Sequence, residues 1–171
     1  AACGTDRLTI PNYNSPTVAG LANDPAGVQL LVTGVFAGTR GEVQQASNDF
    51  GQFGREYYDY FPTDGRTISS YLIGIPSPQR LERAGFASGG WGGHYQTMKN
   101  AVGLINTANS SSLSAASKKG VSGFAKTMRA LALLYVVSGR DSLGAPTDIP
   151  DDFQKPAPFV TRDAVYTFIA A

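Results

Sequence analysis

Two stretches of this chain carry large apolar residues at one repeating step. Trp91, Tyr95, Met98, Val102 and Ile105 advance by four, three, four and three residues, and Val121, Phe124, Met128, Leu131 and Tyr135 alternate threes and fours in the same way. Such spacing returns every side chain to one face of an α-helix. The segment between them, 106–112, is rich in serine and asparagine, so the chain reverses there and the two helices pack as an antiparallel hairpin. Ala101, Ala125, Ala130 and Ala132 lie among the larger residues and let the helices approach closely. Burying about ten such side chains at roughly 1.5–3 kcal/mol each gives a gross gain of tens of kcal/mol, mostly offset by chain entropy. A lone hairpin is therefore marginal and needs neighbours. The fold class this predicts is all-α.

The hairpin resembles a tetratricopeptide unit, and the rest of the chain predicts further helices joined by long irregular loops. Asn23, Asp24 and Pro25 form a helix start, an acceptor side chain ahead of a proline at the first helical position, with Val28, Leu30, Leu31, Val35 and Phe36 as the apolar face of a helix over 25–38. Phe50, Phe53, Tyr57 and Tyr60 recur at steps of three and four, which predicts a second helix over 45–61 with its aromatics inward, ended by Pro62. The 20 glycines and 10 prolines crowd into 11–27, 61–93 and 139–158, so loops are expected there. Thr161 caps a last helix carrying Val165, Phe168 and Ile169. That helix has no following segment to cover its apolar face, so the sequence reads as part of a longer protein: a leash over 1–20, then a helical-repeat domain over 21–171.

Composition excludes some partners. Charged residues are 16% of the chain and the net charge is +1, so no long-range field draws it to nucleic acid or acidic lipid. One cysteine and one histidine provide neither an intrachain disulfide nor a zinc site of the usual spacing, and no cofactor or metal is expected. No apolar run approaches the roughly 20 residues that span a bilayer, so a membrane link would be covalent. Cys3 supplies the thiol. Ala1 and Ala2 before it are the small residues that a lipoprotein signal peptidase leaves visible, and a polar leash from Gly4 follows; the alternative is an ordinary cysteine near a trimmed terminus. At about 0.8 kcal/mol per buried methylene, two or more acyl chains on Cys3 would anchor the protein essentially for good.

Taken in order, these segments resemble the SusD/RagB family of nutrient-binding surface lipoproteins. The cysteine start is followed by Leu30, Leu31, Gly34 and Phe36, then by Trp91, Tyr95, Met98 and Ala101, and by Leu113 and Ser114 at the turn. The second arm carries Ala125, Met128, Arg129 and Ala130 and runs to Tyr135 and Gly139, and Ile149, Pro150 and a run from Thr161 to Tyr166 come last. Val102 departs from the family, whose members usually follow the hairpin alanine with asparagine. Family members are much longer, so the likeness covers their N-terminal third. The resemblance implies a protein anchored on the cell surface in the outer membrane. It would capture an oligosaccharide or peptide for a TonB-dependent SusC-like transporter and catalyse nothing.

Capturing sugars needs flat aromatic faces and a few polar groups on ordered loops. The candidates are Asp64, Arg66 and Tyr71 in the 62–90 loop, together with Tyr58, which breaks the aromatic stripe; Arg80 and Arg83 are second choices. Trp91 heads a helical stripe and is read as core, and Arg129 as structural. Two other readings stand beside this one: a helical-repeat adaptor without a lipid anchor, and a hydrolase using His94 as base for Ser88. No Gly-x-Ser-x-Gly elbow accompanies His94, and the glycines at 89, 90, 92 and 93 lack the ending of a phosphate loop. Asp141, Asp148, Asp151 and Asp152 fit no calcium-loop spacing.

Overall fold

A computed structural model describes residues 18–21, 24–57, 89–150, 152 and 154–171. The described residues form an all-α fold. A single turn, α1 (Val18–Leu21), precedes the long helix α2 (Pro25–Phe53), and two more long helices follow, α3 (Gly89–Ser110) and α4 (Ala115–Ser138). A 3-10 turn (Asp141–Leu143) leads into an irregular segment and the short helix α5 (Arg162–Ala170). The principal contact is α3 against α4, α2 lies across both, and α5 packs on α4.

The helix starts are those the sequence predicts. Asp24 Oδ1 accepts from the Ala26 amide at 2.9 Å ahead of Pro25, and Thr161 Oγ1 accepts from the Ala164 amide at 3.3 Å. The hairpin turn is tighter than its polar composition suggests, because α3 continues through 106–110. Its hydroxyls allow this by bonding back into the helix: Ser110 Oγ donates to Thr107 O at 3.1 Å and Ser111 Oγ to Ala108 O at 2.6 Å. Ser114 then caps α4 by accepting from the Ser117 amide at 3.1 Å, and Lys118 Nζ donates to the Asn109 carbonyl at 2.9 Å near the end of α3.

Two helices predicted over 25–38 and 45–61 are one helix, α2, which ends at Phe53. Gly38 and Gly41 each cost about 1 kcal/mol relative to alanine without breaking it. A continuous seam outweighs them: Val28, Val35, Thr39, Glu42 and Ala46 are all buried, at steps of seven, four, three and four. The same change overturns the inward placement of the aromatics. Phe50, Phe53 and Tyr57 are exposed, and Gly51 and Gln52 are the buried residues of the last turn.

The hairpin stripes are displaced by about one residue. In α3 the deepest residues are Met98, Ala101, Leu104 and Ala108, whereas Trp91, Tyr95, Val102 and Ile105 are half-buried. In α4 they are Ala125, Ala132, Leu133, Val136 and Val137, and the five large stripe residues flank them. Because α4 touches α2, α3 and α5, its alanines sit at the closest approaches and the bulky side chains fill the margins. By length and composition alone α4 could cross a bilayer, a test that core helices also pass, and α4 packs against α2, α3 and α5.

The segment after α4 is a loop, as predicted, and is tied down at both ends. Ala145 and Val160 form an isolated antiparallel bridge. Gly144 beside it has a φ of 66°, and a Cβ there would collide with the Val160 carbonyl, so glycine is required.

Candidate functional site

Cys3, Tyr58, Asp64, Arg66 and Tyr71 lie outside the described residues, as do Arg80, Arg83 and Ser88. Three arrangements of polar and aromatic groups occur within them.

The first is a cleft where α2 ends. The chain leaves the helix through a Schellman turn: the Arg55 amide donates to Gln52 O at 3.1 Å and the Glu56 amide to Gly51 O at 2.9 Å. Arg55 takes the left-handed position of that turn at φ 60°, a conformation usually left to glycine. The reversal swings Glu56 and Tyr57 back over the last turns of α2. The Tyr57 ring lies against Gly51, where a Cβ would strike it, and its hydroxyl donates to Asn48 Oδ1 at 3.0 Å and Ser47 O at 3.2 Å. Between this cover and α4 lies an open cleft of about 260 Å³ lined by Val43, Ser47, Phe50, Glu56, Tyr57 and Tyr135, with Ala46 and Gly51 as floor.

The second is a buried polar pair behind the cleft. Glu42 on α2 and His94 on α3 meet with Oε2 2.8 Å from Nδ1, and the residues are only 7% and 3% exposed. The Tyr135 ring lies 5.5 Å from the imidazole, so one tyrosine touches both the pair and the cleft. Nearby Thr39 donates to Val35 O at 3.0 Å and lies 3.6 Å from Met128 Sδ. The pair is a link between helices in the seam.

The third is an aromatic stack at the start of α3, around residues that flank His94 in sequence. Trp91 lies 4.7 Å from the Tyr95 ring and is stacked on Phe159 at 5.9 Å, with the Arg140 guanidinium over its face at 4.8 Å. Trp91 packs against the buried core, in keeping with its reading as core. Tyr95 donates to Pro146 O at 2.8 Å, and burial pushes its pKa up to about 12 against the opposing effect of Arg140. Arg129 is structural in the same sense. It donates to Thr147 O at 2.7 Å and lies 4.8 Å from the Phe168 ring, and burial lowers its pKa while Asp148 partly restores it.

The acidic residues of the loop serve local turns. Asp148 Oδ1 accepts from the Ile149 amide at 2.9 Å, and Asp152 Oδ1 from the Gln154 amide at 3.0 Å. Among the described residues no three His, Cys, Asp or Glu side chains come together as a metal site would require. Compared with protein-family models, curated proteins and solved structures, the chain has no match in any of the three.

Sequence reasoning missed Glu42 and the cleft. Glu42 is one acid among many until α2 is seen as a single helix, whose seven-residue seam includes position 42. The cleft could have been suspected from Gly51, Phe50 and Tyr57 together, a glycine beside aromatics at a helix end.

Proposed function

We propose that this chain is the N-terminal part of a surface nutrient-binding lipoprotein of the SusD/RagB type. Acyl chains on Cys3 hold it in the outer membrane, and it captures an oligosaccharide or peptide for a TonB-dependent SusC-like transporter without catalysing a reaction. The observation that carries the reading is the order of the matching segments. They fall in turn on α2, α3, the hairpin turn, α4 and the capped start of α5, so the residues of the resemblance belong to one packed unit. In this reading Asp64, Arg66, Tyr71 and Tyr58 contribute ligand contacts from the segment between α2 and α3.

The adaptor reading is favoured by a different observation. Phe36, Val43 and Phe50 are exposed and follow one another at seven-residue steps along α2, a row that a partner helix could cover.

The test is the intact mass of the full-length gene product, expressed with its native signal in a Gram-negative host beside a Cys3→Ser variant. A diacyl or triacyl increment that the variant lacks, with loss of outer-membrane partition, is the expected result. An unmodified product that does not sediment with membranes overturns the reading and leaves the adaptor.

A further inference from the structure

We propose that the cleft at the end of α2 binds a methylated ammonium group, such as a choline-type headgroup. Phe50, Tyr57 and Tyr135 line it with three aromatic rings, and Glu56 is its one charged lining residue. The Glu56 carboxylate makes no hydrogen bond or ion pair with a described residue, so its charge is unspent. An anion has no cationic partner there, whereas a cation has a carboxylate and three aromatic rings, whose faces attract cations.

Size and the aromatic lining narrow the class. At about 260 Å³ the cleft falls below the roughly 300 Å³ at which sites for drug-sized ligands begin, so it takes a headgroup rather than an oligosaccharide. The Tyr57 hydroxyl donates its proton to α2, so the Glu56 carboxylate and the hydroxyl oxygens of Ser47, Tyr57 and Tyr135 are the acceptors among the lining side chains. A quaternary ammonium brings no N–H donor and is held by charge and aromatic rings alone, which three rings around one carboxylate supply.

The cleft is also built rather than incidental. A left-handed Arg55, a glycine under the Tyr57 ring and a doubly bonded tyrosine hydroxyl all fix one wall. Phe50 and Tyr57 keep 41% and 40% of their surface open, although each is large and apolar. This inference is independent of the surface-lipoprotein reading, since it concerns residues whose placement does not depend on Cys3.

The test is an amide-resolved NMR titration of the 171-residue chain. The ligands are choline, its neutral isostere 3,3-dimethylbutanol, and ethanolamine. Choline is expected to shift the amides of Gly51, Glu56 and Tyr57 saturably, with a Kd roughly tenfold below that of either other ligand. Glu56→Gln, an isosteric change at an exposed position, is expected to weaken choline roughly tenfold and leave dimethylbutanol unchanged. Far-UV circular dichroism of that variant checks the fold. Equal affinity for choline and dimethylbutanol, ethanolamine binding as well as choline, or no saturable shift would each overturn the assignment.

Discussion

Replacing Glu42 by alanine tests the link between α2 and the hairpin. The change removes the acceptor 2.8 Å from His94 Nδ1 in a seam where the two residues are 7% and 3% exposed. A buried donor left without a partner costs about 1–3 kcal/mol, and the lost Cγ methylene adds about 0.8 kcal/mol. The expected loss is therefore about 3 kcal/mol, out of the roughly 5–15 kcal/mol that holds a typical domain. With a urea slope near 2 kcal/mol per molar, the midpoint should fall by about 1.5 M, read by far-UV circular dichroism at neutral pH. The double variant Glu42→Leu, His94→Leu replaces the pair with apolar groups and should recover to within about 1 kcal/mol of the parent, because both desolvation penalties vanish together. A Glu42→Ala loss under about 0.5 kcal/mol, or a double variant as unstable as the sum of the single changes, would refute the reasoning.

Other expectations follow from the loop and the caps. Arg129→Met keeps the apolar stem but deletes the bond to Thr147 O, and should cost about 1–3 kcal/mol and expose the 139–160 loop to protease. Arg129→Lys should not restore it, because a lysine lacks the planar fork that reaches the carbonyl while lying on Phe168. Tyr95 ionises near 10 in the unfolded chain and near 12 in the folded one, so the unfolded state releases its proton first and stability falls as pH rises through that window. The drop, about 1–2 kcal/mol after screening at this half-buried site, should be absent in Tyr95→Phe when urea midpoints are compared at pH 9 and pH 11.5. Ser114→Ala removes the cap of α4 and should cost about 1 kcal/mol in urea unfolding.

Local chemistry was the legible part of this fold. Asp24 with Pro25 and Thr161 announced their helices, and the two apolar stripes announced the hairpin, because caps and 3.6-residue periods act within a few residues of themselves. What escaped depends on partners far along the chain. Thr39 and Glu42 fall in the gap left between the two predicted helices, and Glu42 finds its partner in His94, 52 residues on. The period of the Phe50 and Tyr57 aromatics was real, but a period says only that residues share a face, not that the face is covered. The turn that carries Glu56 and Tyr57 back over α2 pivots on an arginine at φ 60°, where glycine would have been the readable signal. The cleft was thus hidden although each residue lining it was in view.

The central claim is capture at the cell surface for an outer-membrane transporter, and affinity purification of the full-length gene product from detergent-solubilised outer membranes of its own host tests it most directly. Co-elution of one TonB-dependent barrel protein in near-equal amount is the expected result. Recovery of the product without any such barrel, from membranes in which transporters of that type are intact, would contradict the account.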